Sequence, residues 1–288
     1  MTQHPPLLVF GKTGQVAQEL AKRAPNAVFA GRDLADLSDP AACAALIRDM
    51  APTQVINAAA YTAVDKAEDE DVLAMIVNGE APTAMAEAAR EVGAAFVHIS
   101  TDYVFDGSGE LPWEEDAVTG PLGAYGRSKL AGEQGVQRAG GVYAILRTAW
   151  VFSAHGNNFV KTMLRLGAER DRLTIVGDQF GGPTPAGSIA ATCLNLAEEL
   201  RQNSDASGVY HYCGAPDVSW ADFARAIFAD ADLNPEVVDI PTSAYPTPAA
   251  RPANSRLSCQ KIDTVMGIKR PDWRAELSHV LDELEGSV

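Results

Sequence analysis

Leu7-Leu8-Val9-Phe10-Gly11-Lys12-Thr13-Gly14-Gln15-Val16-Ala17 decides the fold of this chain. Four apolar residues make a short buried strand, and a glycine-rich turn then enters a helix with Val16 and Leu20 on one face. Gly11 permits the tight turn, Gly14 lets backbone approach a pyrophosphate, and small Ala17 allows helix to pack closely on strand. The helix N-terminus adds amides and a dipole that favour a phosphate. Gly11, Lys12, Thr13, Gly14, Gln15 and Val16 are therefore candidate dinucleotide contacts. The same pattern also serves a plain strand-to-helix turn, so its neighbours must decide.

Outward from this unit the alternation continues. Residues 27–30 read as a second strand and 40–50 as a helix with proline in its first turn. Residues 55–60 form a third strand running into small residues, 81–92 a helix, and 95–100 a fourth strand. A helix carrying Tyr125 and a strand over 142–150 follow. Strands separated by helices of about ten to fifteen residues imply βαβ units and a parallel sheet. The expected fold is α/β, a Rossmann-type doubly wound parallel sheet with a smaller, interleaved C-terminal substrate-binding lobe. Residues 1–150 are the expected dinucleotide-binding domain, with later returns of the chain near 173–213, and 151–288 supply most of the second lobe. There, 158–170, 189–201 and 220–231 read as helices, and 173–176 and 209–213 as strands. The stretch 241–252 holds four prolines in twelve residues and is expected to be extended. A last helix covers 273–284.

Composition narrows the partners. Of 288 residues, 47% are hydrophobic and 21% charged, the balance of an ordinary globular protein. No apolar run reaches the roughly 18–20 residues needed to span a bilayer. Met1–Pro6 shows no basic region followed by an apolar stretch, so no secretory signal is read and a cytoplasmic location is expected. Cys43, Cys193, Cys213 and Cys259 fit no metal-ligand spacing and read as free thiols. The formal charge of −15 argues against a nucleic-acid partner. Any phosphate-bearing ligand must then be met by local arginines, lysines and backbone amides.

The chemistry-bearing residues sit at expected strand ends. Gly31-Arg32-Asp33 closes the second strand and offers both an arginine for a 2′-phosphate and an acid for a ribose. Arg32 comes first and Lys12 adds charge, which favours NADPH and leaves NADH open; Asp36-Leu37 would lie near the adenine. Asn57-Ala58-Ala59-Ala60 leaves room for a cofactor at the carboxyl edge of the sheet. His98, inside an apolar strand, reads as a core histidine. Ser100-Thr101 brings a hydroxyl to the same edge. Tyr125 and Lys129, four apart, share a helix face. The ammonium is expected to pull the phenol from about 10 toward neutrality, making it a proton donor that can be recharged.

These motifs in this order resemble the extended short-chain dehydrogenase/reductases and, within them, the dTDP-4-dehydrorhamnose reductase family. The resemblance runs from about Leu7 to Leu257. It rests on Phe10–Val16, 57–65, 100–105, Tyr125–Lys129 with Leu130-Ala131-Gly132-Glu133, 147–150, 156–159 and 251–257. It implies NAD(P)H-dependent reduction of the C4 keto group of dTDP-4-dehydro-β-L-rhamnose, with a nucleotide-sugar-binding second lobe. By resemblance, Tyr125 donates the proton, Lys129 tunes it and binds the nicotinamide ribose, and Thr101 orients the carbonyl. Ala59, Ala60 and Tyr61 would flank the cofactor; Tyr61 stands where the family often has histidine. Thr101, Asp102, Trp150, Asn158, Arg251 and Arg256 would meet the substrate. Some relatives hold magnesium at a dimer contact. Glu19 could be one ligand, but no acid accompanies 181–188, so no metal is expected and monomer or homodimer stays open. The alternatives are a nucleotide-sugar epimerase or dehydratase, whose usual glutamate is missing after Thr101-Asp102, and a non-catalytic regulatory subunit on the same fold.

Overall fold

The structure, a computed structural model, describes residues 7–286, so the Met1–Pro6 segment lies outside the described residues. Its first half alternates strand and helix: β1 (Leu7–Phe10), α1 (Gln15–Arg23), β2 (Val28–Ala30), α2 (Pro40–Met50) and β3 (Gln54–Asn57). Then come α3 (Asp71–Met75), a π-helical turn (Ile76–Glu80), α4 (Ala81–Val92), β4 (Ala95–Thr101), α5 (Ala124–Ala139) and β5 (Tyr143–Thr148). The second half adds β6 (Val151–Phe152), α6 (Phe159–Glu169), β7 (Arg172–Val176), β8 (Phe180–Gly181), β9 (Thr184–Pro185), α7 (Ala186–Gln202) and β10 (Gly208–His211). It closes with β11 (Val218–Ser219), α8 (Trp220–Asp230), β12 (Glu236–Ile240), β13 (Asn254–Ser255), α9 (Gln260–Met266) and α10 (Trp273–Glu285).

Six strands form one parallel sheet in the order β10-β5-β4-β3-β1-β2. Chain direction across the sheet reverses between β1 and β3, where ligands bind in open α/β sheets. The apolar strands alternate between two cores, as period-two side chains must. Leu8, Phe10, Val55, Phe96 and Ile145 face one way toward α2 and α4. Val9, Ile56, Val97 and Leu146 face the other way, toward a layer that includes α1 and α7. The chain thus returns to the first-half sheet through α7 and β10. A separate core around Phe152, Val160, Phe223 and Trp273 serves the second half.

Several boundaries differ from the sequence reading, each for a local reason. β3 stops at Asn57, because Ala58–Ala60 leave the ladder to pass the β1 turn. β5 stops at Thr148, and Trp150 adopts φ +50, a left-handed backbone that no strand tolerates. β10 ends at His211, and α7 begins three residues earlier than its apolar periodicity suggests. Within the proline-rich stretch, Thr242–Ala244 makes a single 3-10 turn.

Helix α5 seats unusually close to its neighbours because glycines form its contact face. A Cβ at Gly126 would lie 2.2 Å from the Tyr103 carbonyl oxygen, and one at Gly132 would lie 2.1 Å from the Asn78 carbonyl oxygen. Gly126→Ala is therefore expected to cost about 1–3 kcal/mol, the usual price of overpacking. Gly14→Ala, where nothing lies within 4 Å, is the control. Urea midpoints measure both, and an unchanged Gly126→Ala midpoint would contradict the close seating.

Candidate active site

The β1–α1 turn is shaped for a pyrophosphate. Gly11 has φ +114, and a Cβ there would press on the Ala58 backbone at 3.3 Å. Gly14 is the N-cap of α1 and supplies no side-chain cap, so the first-turn amides are left for another acceptor. Lys12 and Thr13 are exposed at the turn, while Val16 turns into the core. Gln15 instead ties the turn to the second lobe. Its Oε1 accepts from Ser153 Oγ and Asn158 Nδ2, both at 2.9 Å. At the end of β2, Arg32 and Asp33 are exposed, and Asp33 forms a loose 3.7 Å pair with Lys12. Asp36 accepts from Ser38 N and Oγ, and these bonds with Arg32 nearby hold its carboxyl below the usual range. Leu37 is taken up by the core beside Leu8 and Cys43 rather than presented at the surface.

The catalytic candidates converge where β4 ends. Thr101 caps a 3-10 turn (Asp102–Val104), its Oγ1 accepting from Tyr103 N at 3.2 Å and donating to Asp102 Oδ1 at 3.0 Å. The Tyr125 phenol stands beside the Thr101 hydroxyl and packs edge-on to Tyr103, ring centroids 5.5 Å apart. Burial drives the Tyr125 phenol up to about 12, helped by the Asp102 charge and opposed by the Thr101 hydroxyl. The expected fall toward neutrality is thus corrected: desolvation of the phenolate outweighs any pull from lysine. Lys129 yields instead, lowered to about 8 by burial despite Glu133. Its Nζ donates to Ile99 O at 2.7 Å and meets His98 Nε2 at 3.3 Å. Tyr125 is therefore stored as an acid, the form a proton donor needs.

Two arginines and a tryptophan were expected to meet the substrate. Arg251 Nη2 binds Asp65 Oδ2 at 2.8 Å, while its Nη1 is buried with no hydrogen-bond partner. Asp102 Oδ2 and Thr148 Oγ1 are orphaned in the same way, and Thr148 sits opposite Thr101 in the ladder. Buried groups left unpaired are costly, so such atoms mark where a polar ligand fits. Arg256 lies over the Phe180 ring at 4.5 Å and donates to Asn254 Oδ1 at 3.1 Å. Trp150 stacks on Trp220 with centroids 3.5 Å apart, and Gly181 packs against the same indole, where a Cβ would come within 2.9 Å of Cε2. Asn158, expected to meet the substrate, caps α6, and its amide also bonds Gln15, Ser153 and His155.

Sequence reasoning assigned no role to the residues that hold this site. Glu68 Oε1 accepts from Ala124 N at 2.8 Å and caps the helix bearing Tyr125. Asn78 binds Tyr61 N and O and Ser128 Oγ, fastening the loop after β3 to α5. Tyr61 itself donates to Glu70 at 2.6 Å, which pushes its phenol to about 12. Glu133 takes both Arg147 Nε and Nη2 and the Ser100 hydroxyl. A signal was present: Arg147 interrupts an otherwise apolar strand, and a buried charge demands a partner.

With this geometry in view, a family model described as the RmlD substrate binding domain matches residues 5–285. The chain belongs to this family. A Burkholderia thailandensis protein named dTDP-4-dehydrorhamnose reductase is 48% identical over 283 residues, spanning 93% of this chain and 95% of its own. A structure of dTDP-4-dehydrorhamnose reductase from Bacillus anthracis in complex with NADP superposes with TM-score 0.90 at 32% identity, covering 98% of this chain and 100% of that one. One from Clostridium acetobutylicum gives TM-score 0.90 at 36% identity, covering 97% and 99%. In this RmlD-family chain, Glu19 has company that the sequence reading did not expect. Among the described residues, Glu19, His155 and Glu283 of α10 bring ligand atoms within 4.8 Å. Lys22 and Arg23 pair with Glu19 in the same cluster. Among the described residues, no helix is long and apolar enough to cross a membrane.

Asp102 carries the clearest pH signature. Burial lifts its carboxyl from 3.8 to about 6 despite the bond from Thr101. A carboxyl raised on folding favours the fold most below its unfolded value, and that support is lost as pH rises through about 6. Asp102→Asn is therefore expected to be more stable than the parent by up to about 3 kcal/mol near pH 8. The gap should close as pH falls toward 3.8. Urea titrations across that range test this; a pH-independent gap would contradict it.

Proposed function

We propose that this chain catalyses NAD(P)H-dependent reduction of the C4 keto group of dTDP-4-dehydro-β-L-rhamnose to dTDP-L-rhamnose, the last step of dTDP-rhamnose synthesis. The observation that carries the reading is the Tyr125 phenol, kept protonated by desolvation and set beside the Thr101 hydroxyl at the carboxyl edge of the sheet. The likeness to proteins named dTDP-4-dehydrorhamnose reductase over nearly the whole chain supplies the substrate. The cofactor, when bound, supplies a hydride to the carbonyl carbon.

The chain's own residues do the rest. Backbone of Gly11, Lys12, Thr13 and Gly14 and the uncapped α1 amides hold the pyrophosphate, and Arg32 with Lys12 meets the 2′-phosphate of NADPH. Small Ala59 and Ala60 leave room for the cofactor, and Asn78 keeps their loop fixed through Tyr61. Thr101 and Tyr125 converge on the carbonyl oxygen, and Tyr125 delivers its proton as negative charge develops there. The free Nη1 of Arg251 takes a diphosphate oxygen, Arg256 adds charge beside it, and Trp150 packs beside the sugar. The orphaned Asp102 Oδ2 accepts a sugar hydroxyl. The working form is a cytoplasmic monomer or homodimer.

Tyr125→Phe is expected to lose at least about 10²-fold in turnover, as removal of a general acid does, while NADPH binding by fluorescence titration stays near normal. Retained turnover would sink the assignment of the acid. Arg32→Ala should weaken NADPH more than NADH; equal weakening of both would remove Arg32 from the 2′-phosphate.

A further inference from the structure

Asn57 at the end of β3, His98 inside β4 and Lys129 on α5 form a buried hydrogen-bonded line. Asn57 Nδ2 lies 3.2 Å from His98 Nδ1, and His98 Nε2 lies 3.3 Å from Lys129 Nζ. The three residues are 1%, 0% and 2% exposed. Donor and acceptor roles follow from the outer end. Asn57 Oδ1 accepts from Ala59 N–H at 3.2 Å, so the amide nitrogen, which only donates, faces the ring. His98 Nδ1 therefore bears no proton. Burial also disfavours the charged ring. The neutral imidazole then keeps its one proton on Nε2 and directs it at Lys129. An ammonium has three donors and no lone pair. Opposite Nε2–H it sets donor against donor, whereas the neutral amine accepts that bond and still donates to Ile99 O.

We propose that His98, its tautomer set by Asn57, is a positioning residue that stabilises the uncharged form of Lys129 and so makes the charge of this lysine switchable. The inference rests on the reading of Lys129 as the catalytic lysine. The remaining groups around Lys129 leave this role to His98. On α5, Glu133 favours the ammonium, but its carboxylate is taken up by Arg147 of β5 and Ser100 of β4. Tyr125, one turn earlier on α5, is a neutral phenol, and the Asp102 charge beyond β4 acts on that phenol. Asn78 of the π-helical turn reaches Ser128 and Tyr61. Gly132 lets α5 close over the ring; a Cβ there would stand 3.6 Å from His98 Nε2. The lowered Lys129 ammonium agrees with this arrangement.

Two measurements test it. Side-chain ¹⁵N NMR of the full-length protein, assigned with His98→Gln, distinguishes the imidazole tautomers. A protonated Nε2 with bare Nδ1 is expected, and the opposite tautomer overturns the proposal without reference to activity. The second is turnover against pH for the parent and Asn57→Asp. An aspartate at 57 keeps the Ala59 bond, accepts Nδ1–H, and turns Nε2 into an acceptor for the ammonium. The alkaline fall in turnover, centred near about 8 in the parent, should move up by at least about one pH unit. An unmoved fall, in a variant that binds NADPH normally, overturns the proposal. Absence of turnover in the parent itself would instead defeat the functional reading, leaving the tautomer to decide this one.

Discussion

Everything at the active site depends on how closely α5 lies against the sheet. Glycine backbone at 126, 132 and 135 stands where side chains would hold the helix off, and an added Cβ would collide at each. The approach is locked by Glu133, whose carboxylate binds Arg147 on β5 and Ser100 on β4. Breaking a buried pair of this kind typically costs about 3–5 kcal/mol, because the survivor is left charged in the interior. The same approach buries Lys129 and half-buries Tyr125. Closeness is therefore what raises the phenol to about 12 and lowers the ammonium to about 8, setting the two groups apart in acidity.

A second constraint is the join between the halves. Gln15, in the pyrophosphate turn, receives hydrogen bonds from Ser153 and Asn158. His155 in the same loop meets Glu19 on α1, and Lys22 links Glu19 to Glu283 near the C-terminus. Asp65, after β3, holds Arg251 from the opposite lobe. The glycine-rich turn and Arg251 are thus each anchored across the two halves, which fits a reaction in which hydride donor and sugar must meet in one geometry.

Much of the fold was legible because buried parallel strands read as short apolar runs and their helices carry a 3.6-residue period. Strand ends were not legible. Trp150 looks like a strand residue until its left-handed backbone is seen, and Ala58–Ala60 leave the sheet only because the Gly11 turn must pass. The candidate reacting residues were read from hydroxyl, phenol and amine types at fixed spacing. Their acidities were not, since desolvation is a property of packing that Tyr-x-x-x-Lys does not encode. Asn158 illustrates the same limit: its place in a family motif suggested substrate, but not the bonds its amide makes to the cap and to Gln15. Glu283 joined Glu19 and His155 across 264 positions of chain, a contact no local pattern announces.

The most direct test of the account is NADPH consumption by the purified protein when dTDP-4-dehydrorhamnose is generated in the same vessel, with the product identified by mass spectrometry and proton NMR. Substrate-dependent oxidation with one dTDP-L-rhamnose formed per NADPH consumed is the predicted result. Folded protein that binds NADPH but leaves it unoxidised in the presence of this substrate would contradict it.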